Sequence, residues 1–125
     1  MKRILIAEDD FIVSKLYQMY FRRSGLHGSF FNTGAGLIES ASHERPDLVL
    51  LDYELPDICG PEVMCALHKI PGCEDVPVIF VTSRATPEVV AKLRQAGAHE
   101  VFGKPFPPAE LIRLIRDLSG SSGDI

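Results

Sequence analysis

No stretch of this 125-residue chain is long and apolar enough to cross a bilayer, and none resembles a secretory leader. Lys2 and Arg3 precede an apolar run, but that run is only four residues long and ends in acids. Cysteine is scarce: Cys59, Cys65 and Cys73 form no CxxC pair and leave one thiol over, which argues against both a disulfide framework and a zinc site. A reducing cytoplasmic compartment is therefore expected. The 13 Lys and Arg residues are scattered and the net charge is −4, so a nucleic-acid face, which needs clustered cations, is not expected. His27, His43, His68 and His99 show no HExxH or similar ligand spacing and read as surface or boundary residues. Internal repeats and low-complexity tracts are also missing, apart from the terminal SGSSGDI.

What is present is enough apolar material, 46%, for one compact core. Three short apolar runs rich in β-branched residues, Ile4 to Ala7, Asp47 to Leu51 and Val78 to Val81, do not alternate with polar residues. That pattern suits strands covered on both faces. Less pronounced strands are expected at Gly28 to Asn32 and at EVFG, residues 100 to 103. Between them run helical stripes: Ile12, Leu16, Met19 and Tyr20; Val63, Leu67 and Ile70; Val89, Leu93 and Ala96; and Leu111, Leu114, Ile115 and Leu118. A shorter helix is expected around Leu37 to Ser42. Glycines and prolines fall between these segments. Alternating strands and helices imply right-handed crossovers and a doubly wound α/β fold.

In such a sheet, ligands bind beyond the carboxyl ends of the strands. The first strand ends in Glu8 and Asp9, the third in Asp52, the fourth in Thr82 and the last in Lys104. Taken singly, each has an ordinary reading: an acid opening a helix, a turn aspartate, a helix cap, a solvated lysine. Taken together, they put carboxylates, a hydroxyl and an ammonium on one edge, as a metal site beside an anion site requires. Three consecutive acids, Glu8 to Asp10, repel one another unless a cation joins them. Asp10 is assigned the capping role at the start of the first helix.

The motifs ILIAEDD, LLDYELPDICG, VIFVTSRA and QAGAHEVFGKPF, in this order and spacing, resemble the receiver domain of two-component response regulators from Lys2 to about Leu118. The resemblance implies a CheY-like, flavodoxin-like five-stranded parallel sheet in the order 2-1-3-4-5. It implies that Asp52 is the phosphoacceptor and that Mg2+ is held by Glu8, Asp9, Asp52 and the backbone carbonyl of Glu54. Thr82 and Lys104 would contact the phosphoryl oxygens, and Lys104 would precede a cis Pro105. Implied partners are a histidine kinase or histidine phosphotransfer protein, and an output protein or downstream domain. The chain would then be a regulatory phosphoacceptor rather than a conventional enzyme. The alternative is a degenerate receiver acting without phosphorylation.

Residues 119 to 125 are expected to form a tail or the start of a linker, so the chain is either a stand-alone receiver or the first part of a longer protein. Neither the cognate kinase nor the oligomeric state follows from the residues; a phosphorylation-dependent dimer is one outcome. Two neighbouring families fit less well. A haloacid-dehalogenase phosphatase would carry DxD after its first strand, and a flavodoxin would place a Ser/Thr/Gly-rich loop where this chain has acids. Glu54 and Arg84, each two residues beyond a site residue, are expected to pair across the entrance. One departure concerns the switch: where many receivers carry Tyr or Phe three residues before the lysine, this chain has Val101, so an inward aromatic rotation is not expected there.

Overall fold

A computed structural model describes residues 3–104 and 107–118. The elements alternate as expected: β1 (Ile4–Ala7), α1 (Phe11–Arg23), β2 (Gly28–Phe31), α2 (Gly34–His43), β3 (Leu48–Leu51), α3 (Gly60–His68), β4 (Val78–Thr82), α4 (Pro87–Gln95), β5 (Glu100–Gly103) and α5 (Pro108–Leu118). All strand pairs are parallel and the sheet order is β2-β1-β3-β4-β5. Every residue of β1, β3 and β4 is buried, which is why these runs carry no polar alternation. The edge strands β2 and β5 are only partly covered.

Successive strand residues feed two separate cores. Leu5, Ala7, Val49, Leu51, Val78 and Phe80 pack against Leu37 and Ala41 of α2, Val63, Met64 and Leu67 of α3, and Leu93 of α4. Ile4, Ile6, Leu48, Leu50, Ile79 and Val81 pack against Tyr17 and Phe21 of α1 and Leu111, Ile112 and Ile115 of α5. Each fully buried aliphatic side chain contributes about 1.5–3 kcal/mol of transfer free energy.

Helix starts follow local chemistry. Asp10 Oδ1 accepts hydrogen bonds from Ile12 N at 2.9 Å and Val13 N at 3.1 Å, the capping role expected of it. Thr86 caps α4 in front of Pro87 by accepting from Val89 N at 3.3 Å. Thr33 caps α2, which begins three residues earlier than the apolar pattern indicates. α1 ends with Gly25 at φ +71°, a left-handed position suited to glycine.

Three expectations need correction. The stripe read for α1 is out of phase: Ile12 is 70% and Leu16 42% exposed, whereas the core takes Tyr17 and Phe21, with Val13 and Tyr20 partly buried. Ile70 lies beyond the end of α3 and Ala96 caps α4 rather than extending it. The third strand begins at Leu48, with Asp47 just ahead of it, its N–H donating to Arg3 O at 2.7 Å and its carboxylate accepting from Arg3 N at 2.8 Å. The expected cis peptide before Pro105 and the expected tail at 119–125 lie outside the described residues.

Candidate functional site

The site is assembled where the parallel strands end. Glu8 N donates to Phe31 O at 2.9 Å and Asp52 N to Ala7 O at 3.2 Å, so the sheet's hydrogen bonding continues one residue past the strands and holds both acids in line. Lys104 N donates to Thr82 O at 2.8 Å and fixes the end of β5 beside β4 in the same way.

Lys104 is the centre of the arrangement. Its Nζ donates to Asp52 Oδ2 at 2.8 Å and to Glu8 Oε1 at 2.9 Å, joining residues 96 positions apart in the chain. Glu8, Asp52 and Thr82 are buried, while Asp9 is exposed. One carboxylate oxygen from each of Glu8, Asp9 and Asp52 lies within 4.8 Å of the others. Three carboxylates against one ammonium leave a surplus of negative charge, which a hard divalent cation would neutralise. A cleft of about 530 Å³ opens beside Glu8 and Asp9 on the side of α1 and β2, bordered by Phe11, Phe31 and Thr33, so these two acids are reached from solvent on that side.

The acid–base states fit that picture. Burial raises the pKa of Glu8, with the Asp52 charge adding to it, while Lys104 and the Asp10 amide pull it back. Burial also acts against the Lys104 ammonium, but its bonds to Asp52 and Glu8 and their charges outweigh this, so its pKa rises and it stays charged. Tyr17, packed below the acids on α1, is pushed up to about 12, first by burial and then by the Glu8 charge, and stays a neutral phenol.

The second oxygen of Asp52, Oδ1, accepts from Glu54 N at 3.3 Å. Gly60 makes this turn possible: a Cβ there would collide with the Asp52 carbonyl and come within 2.6 Å of Phe80 Cε1. Its amide closes the loop by donating to Tyr53 O at 2.7 Å. On the other side of the entrance, Thr82 Oγ1 accepts from Arg84 N at 3.1 Å. Arg84 and Glu54 pair as expected, with Nε and Nη2 both 2.9 Å from Glu54 Oε2, and the guanidinium lies 5.8 Å from the centre of the Tyr53 ring.

Residues read from the sequence as site members thus converge: Glu8, Asp9, Asp52 and Lys104 share one strand-end cluster, Thr82 ends the strand β4 next to Lys104, and Glu54 borders the cluster. Asp10 stays out of it as a helix cap. Among the described residues no histidine joins the acid cluster; His68, for example, contacts Val76 O at 3.0 Å. Val101 is buried against the α2–α4 side, whereas Phe102 packs on the α1/α5 side. Sequence reasoning missed Tyr17, Tyr53 and Asp57. Tyr53 was signalled only weakly, by its place next to Asp52; Tyr17 lies far along α1 from the acids, and Asp57 in ELPDICG reads as an ordinary turn residue.

Comparison with known proteins agrees with the geometry. The family model described as response regulator receiver domain matches residues 4–116. The polar-differentiation response regulator DivK of Brucella anthropi is 30% identical over 97% of this chain and 98% of its own length. The luminescence regulatory protein LuxO of Vibrio campbellii is 35% identical over 80% of this chain, and the DNA-binding response regulator MtrA of Mycolicibacterium paratuberculosis is 33% identical over 92%. The chain spans only 22% of LuxO and 50% of MtrA. Among solved structures, the receiver domain of a Pseudomonas aeruginosa sensor histidine kinase, with a magnesium ion in its active-site cleft, has a TM-score of 0.86 at 27% identity, covering 95% of this chain and 98% of that one. No helix among the described residues is long and apolar enough to cross a membrane. With a matching family model over nearly its whole length and the strand order 2-1-3-4-5, the chain belongs to the response regulator receiver domains of two-component signal transduction.

Proposed function

We propose that this receiver is a phosphorylation-dependent switch in which Asp52 accepts a phosphoryl group. The observation that carries the reading is the Lys104 ammonium bridging Asp52 and Glu8, with Asp9 within reach of both. Glu8, Asp9, Asp52 and the Glu54 carbonyl would hold Mg2+. When bound, the ion supplies positive charge to the phosphoryl oxygens during transfer. Asp52 attacks phosphorus of a phosphohistidine on a kinase or phosphotransfer protein; the new O–P bond forms as the P–N bond breaks and the imidazole leaves. Lys104 stabilises the oxygens in the transition state and Thr82 donates its hydroxyl to one of them afterwards. Water reverses the modification by hydrolysing the acyl phosphate.

The partner-facing surface is in part apolar. Phe11, Ile12 and Leu16 stand exposed on α1 directly after the acids, which suits docking of the phosphoryl donor next to Asp52. The output, whether a separate protein or a further domain, would read the moved Thr82 side of the site. A phosphorylation-independent interaction module is the weaker reading, because it has no use for a buried Lys104–Asp52–Glu8 cluster that costs desolvation to assemble.

Intact-mass measurement after treatment with acetyl phosphate tests the proposal. One phosphate is expected on the parent with Mg2+ and none on Asp52→Asn or with chelator. An equal adduct on Asp52→Asn would overturn the assignment.

A further inference from the structure

Asp57 lies in the β3–α3 loop, five residues past Asp52, and its carboxylate leaves its own loop to grip another element. Oδ1 accepts from Gly34 N at 2.9 Å and Oδ2 from Ala35 N at 2.8 Å, both in the first turn of α2. These bonds hold its carboxyl below the usual aspartate value. The grip is matched by close packing: a Cβ on Gly34 would come within 2.5 Å of Val63 Cγ2 and 2.8 Å of Ile58 Cγ1, so the helix end rests directly on the residue after Asp57. Local capping of α2 is supplied separately by the preceding residue, Thr33, whose Oγ1 accepts from Gly36 N at 3.1 Å.

The anchored element leads back to the acids. α2 follows β2 through Asn32 and Thr33, and Phe31 O at the end of β2 is the acceptor that holds Glu8 N. Asp57 therefore ties the loop carrying Glu54 to the strand end that positions Glu8. On the inner side, the Glu54 amide donates to Asp52 Oδ1 at 3.3 Å, slightly beyond the usual range, so this hydrogen bond holds the loop only weakly.

We infer that Asp57 is a positioning residue for the metal site: by bracing the loop against α2 it sets the Glu54 carbonyl in register with Glu8 and Asp9. This rests on the reading of Glu54 as a Mg2+ ligand. Partners one step removed from a ligand govern where that ligand sits, and their loss typically weakens metal binding by about 10-fold or more.

Mg2+ titration calorimetry and backbone amide hydrogen exchange on the metal-free protein test the inference together. In Asp57→Ala, exchange should accelerate at Gly34, Ala35 and the loop amides between Glu54 and Cys59, and Mg2+ affinity should fall by about 10-fold. Asp57→Asn keeps one acceptor oxygen and should lie between. Ser40→Ala removes the 2.6 Å hydrogen bond from Arg3 at the far end of α2 without touching the loop or the acid cluster, and should leave Mg2+ affinity within about twofold of the parent. Asp57→Ala binding Mg2+ like the parent, or Ser40→Ala weakening it equally, overturns the inference alone, provided Asp9→Asn does weaken binding. A parent that binds no Mg2+, or an Asp9→Asn variant that binds as well as the parent, overturns the metal reading and the inference with it.

Discussion

On the side of the sheet covered by α2, α3 and α4, helices approach through glycine: Gly60 lies against the Asp52 carbonyl and Phe80, and Gly34 against Ile58 and Val63. On the side covered by α1 and α5, the helices make contact mostly by large side chains, with Phe21 and Phe30 ring centres 5.3 Å apart and nearly edge to face, although Gly28 of β2 also lies close under the Phe21 ring. Glycine contacts are between backbone and neighbour and leave no slack. Bulky side-chain contacts have more freedom to adjust, and α1 has apolar residues to spare, since Phe11, Ile12 and Leu16 are not used by the core. The first side holds the loops of the site in place; the second offers a surface.

The sharpest way to break this contrast is Gly60→Ala. The new methyl must displace the Asp52 carbonyl or Phe80, so urea unfolding should show a loss of about 3 kcal/mol or more, at the upper end of overpacking costs. A loss below about 0.5 kcal/mol, the range of unremarkable surface changes, would show that this face yields after all.

A smaller effect is expected at the entrance. Replacing both Glu54 and Arg84 by Ala removes an ion pair whose side chains are 60% and 56% exposed, so stability should change by less than about 1 kcal/mol. Under the proposed function, the pair would flank the path by which water reaches an acyl phosphate on Asp52. Its loss should change the dephosphorylation rate by roughly threefold, the equivalent of ~0.7 kcal/mol, while phosphorylation changes less. Identical phosphate lifetimes in parent and variant would remove the gate.

The smallest expected effect is at β5, whose adjacent residues belong to opposite sides. Val101 is buried on the glycine-packed side and Phe102 packs on the other, so phosphorylation should move Thr82 and the segment from Ser83 to Pro87 without turning Phe102 inward. Structures with and without a phosphoryl mimic decide this. An inward swing of Phe102 coupled to Thr82 would contradict it.

The same contrast explains what could be read in advance. β1, β3 and β4 were legible because burial on both faces leaves an apolar run with no other common explanation, and the strand-end residues followed from the parallel topology. The phase of α1 was not, because its solvent side carries Phe11, Ile12 and Leu16 while two of its core residues are tyrosines, so hydropathy points the wrong way. Asp57 was illegible for another reason. Its partners lie 23 and 22 residues away, and nothing in ELPDICG distinguishes a carboxylate that caps a distant helix from one that only turns its own loop.

The bond from Lys104 to Glu8 spans nearly the whole described chain, from the end of the last strand to the end of the first. Such a contact forms only after every intervening strand has found its neighbour, since β5 meets the sheet solely through β4, and β4 meets β1 only through β3. A chain still emerging from the ribosome can present Glu8, Asp9 and Asp52, yet it lacks the ammonium that completes them. Under the proposed function, competence to take up a phosphoryl group therefore waits for Lys104, and a copy halted before that residue would not signal.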